Sequence, residues 1–193
     1  MRLNLGCGKN KLKDYINVDK EKICQPDKVL DLEDIPWDFE DNCADEILLN
    51  HVLEHLGESR EVYLAIISEL YRISKPGATI KIRVPHPRHD DFVTDPTHVR
   101  PILPSQFYMF SKKQNKEWEK QGFANTPLAH YLNVDFNVTK INWIPDDKWL
   151  KRLKDGAITS IELAEKSEHE YNIIKEIEII LKVIKPVGLE SLK

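Results

Sequence analysis

A chain of 193 residues with 41% hydrophobic and 31% charged residues has the make-up of a soluble globular protein large enough for a real core. The net charge of -4 argues against nucleic acid as a partner. Three cysteines, Cys7, Cys24 and Cys43, are too few and too irregular for a disulfide framework or a C-x-x-C metal site, which favours a reducing, cytoplasmic setting. No apolar run approaches the roughly 20 residues needed to cross a bilayer, and no signal-peptide segment precedes the first strand candidate. Residues 1–193 are therefore expected to form a single domain, with no membrane partner.

In chain order, Arg2 to Leu5 alternates as a short strand and runs into Gly6-Cys7-Gly8, a turn where backbone can take positive φ and lie close to a ligand. Tyr15 to Val18 is a second strand, ending on Asp19. An acid at that place can accept the hydroxyls of a bound ribose. Only 19 − 8 = 11 positions separate Gly8 from Asp19, so the first crossover helix must be very short or replaced by a loop through Lys9 to Asp14. Val29 to Leu32 is a third strand candidate and Asp45 to Asn50 a fourth. Ser59 can cap a helix whose apolar face is Val62, Ile66, Leu70 and Ile73. Lys75-Pro76-Gly77 ends it, and Thr79 to Val84 is a fifth strand.

Residues 85–104 have no periodicity, five prolines and three histidines, and read as a long loop. Ser105 to Phe110 is a short helix, and Lys112 to Lys120 is a polar helical or mobile segment. Val134 to Ile144 is strand-like, Ile158 to Lys166 a short helix, and Ile173 to Ile184 a final strand with Ile177, Ile179, Leu181 and Val183 on one face. The order predicts an α/β fold with a mostly parallel sheet closed by an antiparallel pair.

Five stretches in this order resemble the class I S-adenosylmethionine-dependent methyltransferases, in particular the short branch that opens on a Leu-Gly-Cys-Gly turn (type 11-like). They are Leu3 to Gly8, Tyr15 to Asp19, Asp31-Leu32, Asn50 to Leu56 and Leu70 to Gly77. The resemblance implies a Rossmann-like sheet of seven strands, six parallel and one antiparallel. It also implies S-adenosylmethionine as cofactor. Gly6 and Gly8, with Leu5 and Cys7 on the same turn, would pass under its amino-acid portion, and Asp19 would hold the ribose. Asp31 and Leu32 would sit near the adenine, and Asn50, His51 and Leu53 would line the methionine side. No extension precedes the first strand, so a lid over the pocket is expected from residues 85–135, from a partner subunit, or not at all.

Methyl transfer from a sulfonium needs alignment more than chemistry, and needs a general base only for a hydroxyl or a protonated amine. His98, oriented by Asp95 across the Asp95-Pro96-Thr97-His98 turn, is the base candidate, and His86, His89 and Arg100 are candidates for contacting the acceptor. Histidines beside carboxylates can also bind a divalent metal, or simply brace a loop. The H-x-x-E-H of His51, Glu54 and His55 looks like an inverted zinc motif but starts at a strand end; Glu54 and His55 are read as local hydrogen-bonding or packing residues at the strand-to-helix junction, and no metal is expected. The acceptor is expected to be a small molecule or a carbohydrate hydroxyl, and the oligomeric option is a homodimer. The rivals are a non-catalytic cofactor-binding scaffold and another transferase on the same fold. A dinucleotide oxidoreductase is disfavoured because Lys11 stands where G-x-G-x-x-G needs its third glycine.

Overall fold

The computed structural model describes residues 1–186, so the last seven residues of the expected 1–193 domain lie outside the described residues. Seven strands form one sheet: β1 (Arg2–Leu5), β2 (Ile16–Asp19), β3 (Lys28–Val29), β4 (Ala44–Asn50), β5 (Ser74–Pro85), β6 (Phe136–Pro145) and β7 (Ile174–Val183). Their order across the sheet is β3-β2-β1-β4-β5-β7-β6. β1 to β5 are mutually parallel, and β7 runs antiparallel to both of its neighbours, β5 and β6. That is the predicted architecture of six strands one way and one the other.

The register separates two faces. Leu3, Ile47, Ile80 and Leu181 are direct neighbours across four strands, and so are Leu5, Leu49, Ile82 and Ile179; all are essentially fully buried. Helix α1 (Arg60–Ile73) lays Tyr63, Ile66, Ile67, Leu70 and Ile73 on this face. Ser59 caps it as expected, its hydroxyl accepting from the Val62 N–H at 3.2 Å. The other face carries Arg2, Glu46, Lys81, Arg83, Glu176 and Glu178. Glu46 alone binds the Tyr15 hydroxyl and the Lys81 ammonium at 2.7 Å and Arg2 at 3.2 Å.

Crossover handedness explains the contrast. β1→β2→β3 steps one way across the sheet, while β3→β4→β5 steps the other way. Right-handed crossovers therefore place these two sets of connections on opposite faces. α1 and the β3–β4 connection, which buries Leu32 and Trp37, cover the apolar face. The β1–β2 connection has no helix at all: residues 6–15 are turns, the loop option rather than the very short helix. The β2–β3 connection holds only a 3-10 turn, Lys22–Cys24. The face these two should cover is the polar one.

Several elements differ from expectation. The third strand is two residues long: the Leu30 N–H makes the last bond to β2, to the Asp19 carbonyl at 3.1 Å, and Leu30 to Leu32 then line a cleft. The loop at 85–104 contains a one-turn helix, α2 (Asp90–Val93), capped by the His89 ring. α3 (Pro104–Tyr108) and α4 (Lys112–Lys120) match the expected helices, and α7 (Ser160–His169) overlaps one. α5 (Leu128–Tyr131), which precedes β6, and α6 (Asp147–Lys154) were not anticipated, so β6 and β7 are joined by two helices, α6 and α7, rather than one.

Candidate functional site

At the carboxyl ends of β1, β2 and β4 the chain opens a cleft of about 310 Å³, lined in part by Gly6, Gly8, Asp19, Asp31, Leu32 and His51. This is where open α/β sheets take their ligands. The Gly turn forms it. Gly6 has φ +66, and a Cβ there would fall 2.5 Å from the Val52 side chain. Gly8 has φ +50, but a Cβ there would meet nothing, so its open side faces free space. The Gly8 N–H donates to Asp19 Oδ2 at 2.7 Å, and Asp19 Oδ1 accepts from the Glu21 N–H at 2.9 Å. One carboxylate thus fixes both the turn and the end of β2. Across the cleft, Asp31 stands 3.6 Å from the Lys20 ammonium. A second hollow of about 290 Å³ shares Gly6, Gly8 and His51 and adds Cys7 and Asn50.

His51 sits where the two hollows meet, with φ +54 at the end of β4. Its Nε2 is 2.9 Å from Glu176 Oε1, and its Nδ1 is 3.4 Å from Glu54 Oε1. The hydrogen bond to Glu176, then the nearby Glu54 carboxylate, raises the imidazole to a pKa of about 9 against the cost of burial. Glu176 is held down to about 2 by the same bond and by Arg83. His51 is therefore an imidazolium at neutral pH.

Two of the predicted cofactor residues do not line either hollow. Leu5 and Leu53 are fully buried, their side chains committed to the core beneath the cleft. Cys7 is a turn residue whose thiol is pushed up by burial and then by Asp19, so it is no activated nucleophile.

The histidine-rich segment is split in two. His86 stacks edge-on against Trp143 at 5.8 Å and lines a separate hollow of about 710 Å³ reaching α7. Burial, with Arg88 and His89 nearby, pulls its pKa down to about 4, so it is neutral. His89 is almost fully buried, caps α2, and lies 3.3 Å from Asp146, the cap of α6. Its ring braces the segment against the carboxy-terminal half and does not reach the cleft. Arg100 is also held elsewhere: its guanidinium lies 4.3 Å over the Tyr63 ring and donates to the Gly57 carbonyl at 2.7 Å.

His98 turns the other way, toward the cleft wall. Its Nδ1 meets the Phe92 carbonyl at 2.7 Å, its ring stacks on Phe92, and the His55 ring lies 4.6 Å away. Asp95 Oδ2 is 3.8 Å from His98 Nε2, too far for a hydrogen bond; Asp95 is occupied by the Thr97 N–H and hydroxyl at 2.8 and 2.6 Å. The orienting group is a backbone carbonyl, not Asp95. The His98 side chain is only 7% exposed, and it is His55 that lines the cleft. His55, Lys20 and Glu33 are cleft residues the sequence reading missed, though Lys20 and Glu33 directly follow the motif residues Asp19 and Leu32.

The family model described as a methyltransferase domain matches residues 8–82. A SAM-dependent methyltransferase from Archaeoglobus fulgidus aligns with a TM-score of 0.63 at 20% identity, covering 94% of this chain and 85% of that one. A putative methyltransferase from Bacillus halodurans aligns at 0.54 and 14% identity, covering 95% and 92%. The cyclase SpnF aligns at 0.51 and 14%, covering 97% and 75%. No curated protein matches the chain. The chain has the class I methyltransferase fold, and the resemblance drawn from its motifs is borne out. The cofactor of that fold is S-adenosylmethionine. No helix among the described residues is long and apolar enough to cross a membrane.

Proposed function

We propose that this chain is an enzyme that transfers a methyl group from S-adenosylmethionine to a small acceptor, a sugar hydroxyl or a comparable group. The observation that carries the reading is the Gly6–Gly8 turn locked to Asp19, with the open side of Gly8 facing free space. The residues present suit the cofactor. An ionised carboxylate has about four acceptor sites, and Asp19 uses two of them on the Gly8 and Glu21 N–H groups. The rest are available to ribose hydroxyls. Gly8 leaves room for the amino-acid portion, Gly6 lets the turn pack against Val52, Asp31 and Leu32 flank the adenine, and Asn50 and His51 close the methionine side.

Bound S-adenosylmethionine supplies a methyl group that is already activated, so the residues mainly have to align the acceptor and exclude water. His51 is unsuited as a base because Glu176 and Glu54 keep it protonated. Its charge instead balances the two carboxylates beside it. The imidazole left at the cleft wall is His55, with His98 packed behind it.

The test is calorimetric titration with S-adenosylmethionine and S-adenosylhomocysteine. Both should bind the intact protein, and Asp19→Ala should lose at least about tenfold in affinity, roughly 1.4 kcal/mol. Because Asp19 also braces the Gly turn, circular dichroism must show the variant folded. If neither ligand binds the intact protein, the reading fails. Since a cyclase shares the fold, binding with no transfer across an acceptor screen would point instead to the scaffold alternative.

A further inference from the structure

Behind His55 lies an arrangement that the cofactor cleft does not use. Glu54 is fully buried, yet neither of its carboxylate oxygens accepts a hydrogen bond. The only ionic neighbour among the described residues, His51 Nδ1, is 3.4 Å from Oε1, while the Nε2 of the same ring serves Glu176. Burying a carboxylate without hydrogen bonds costs several kcal/mol by general expectation, so a fold that retains one usually has a use for its charge.

The backbone builds the surroundings deliberately. After β4 the chain turns through a 3-10 segment, Leu53–His55, which points Glu54 inward and leaves His55 on the cleft. The Glu54 carbonyl then accepts from both the Val99 and Arg100 N–H groups, at 2.9 and 3.2 Å. This stitch brings His98 alongside. One nitrogen of each ring and one Glu54 oxygen lie within 4.8 Å of one another.

The hydrogen bonds fix which nitrogens are free. A carbonyl can only accept, so His98 Nδ1 must carry the proton it donates to Phe92 O, and in the neutral ring the lone pair is on Nε2. The Thr97 hydroxyl gives its single proton to Asp95 Oδ1 and so accepts from His55 Nδ1–H, leaving a lone pair on that Nε2 as well. Two imidazoles, each tied through Nδ1–H to an oxygen with Nε2 free, beside a buried carboxylate that accepts no hydrogen bond, have the outer bonding that metal-bound histidines show.

We infer that Glu54, His55 and His98 form a site for one divalent transition-metal ion in the wall of the cofactor cleft. Two imidazoles and a carboxylate suit zinc, iron(II) or manganese better than magnesium or calcium. Ligands at about 2.1 Å from a zinc ion sit closer together than 4.8 Å, so the three side chains rotate inward on binding. Three protein ligands leave open positions, and since His55 borders the cleft, these take an oxygen of the acceptor, a hydroxyl or a carboxylate. That last role rests on the methyltransferase reading; metal binding does not.

The experiment uses the full chain, stripped with a chelator and dialysed. Cobalt(II) is followed by visible absorbance and zinc(II) by calorimetry. The expected result is one equivalent bound at micromolar affinity or tighter, with a raised unfolding temperature. Glu54→Gln, which keeps the shape and removes the charge, and His98→Asn should each weaken binding about 100-fold, while both still bind S-adenosylhomocysteine. No stoichiometric binding by the intact protein overturns the site, as does unchanged affinity in both variants. Metal bound stoichiometrically by a protein that takes no S-adenosylhomocysteine would uphold the site while sinking the proposed cofactor.

Discussion

The two faces of the sheet are made from the same strands yet obey different rules. On one, Leu3, Leu5, Ile47, Leu49, Ile80 and Ile82 are closed off by α1 and the β3–β4 connection. On the other, the same strands present Arg2, Glu46, Lys81 and Arg83, joined in ion pairs. A parallel sheet ordinarily has helices on both faces and reads as continuous apolar runs. Here β1, β4 and β5 alternate, because the crossovers that should cover the second face have no α-helix. The alternation is thus the sequence's answer to missing connections: a strand face left wet must be polar.

The sharpest way to break this comparison is to damage each face in turn. Leu49→Ala, in the middle of the covered face, should cost about 2–5 kcal/mol in chemical denaturation, the usual range for emptying a buried leucine position. Glu46→Gln, at the centre of the polar face, should cost far less, about 1 kcal/mol. Burial pushes the Glu46 carboxyl up, but Lys81, Tyr15 and Arg2 outweigh it and hold it at about 2. Its loss leaves two cations facing one hydroxyl, a local cost that water can relieve. If Glu46→Gln proved as damaging as Leu49→Ala, the second face would not be a solvated one.

What the sequence disclosed follows the same division. The turn at Gly6–Gly8, Asp19, the fourth strand, the Ser59 cap and the apolar stripe of α1 are local patterns of a few residues, and each is where it was expected. Asp146 with Trp149, Leu150 and Leu153 carried a readable signal for α6, an N-cap before helically spaced apolar residues, and it was passed over. α5 is a single turn, below what periodicity can resolve. The histidine segment was misread for a different reason. His86, His89 and His98 are close in sequence, but α2 stands between them and sends two toward the carboxy-terminal half and one toward Glu54. Nor could any local pattern pair His51 with Glu176, 125 positions apart.

That pair is where the two faces join, and its titration tests the comparison most finely. His51 lies between Glu54, buried with the core, and Glu176, which salt-bridges Arg83 on the polar face. The histidine's folded pKa is raised from 6.5 to about 9, so its contribution is complete below pH 6.5 and fades as pH climbs through 9. The folded pKa of Glu176 is lowered from 4.5 to about 2, so its share is complete above pH 4.5 and fades as pH falls through 2. The interaction is therefore whole between pH 4.5 and 6.5. With the ring 40% exposed, solvent screening limits the pH-dependent part to about 1 kcal/mol. Comparing the intact protein with His51→Asn, which tolerates the positive φ, isolates it: the stability difference should shrink between pH 6.5 and 9.5. A difference that stayed level over that range would mean the imidazole is neutral in the folded protein. The covered and the wet face would then meet without a charge between them.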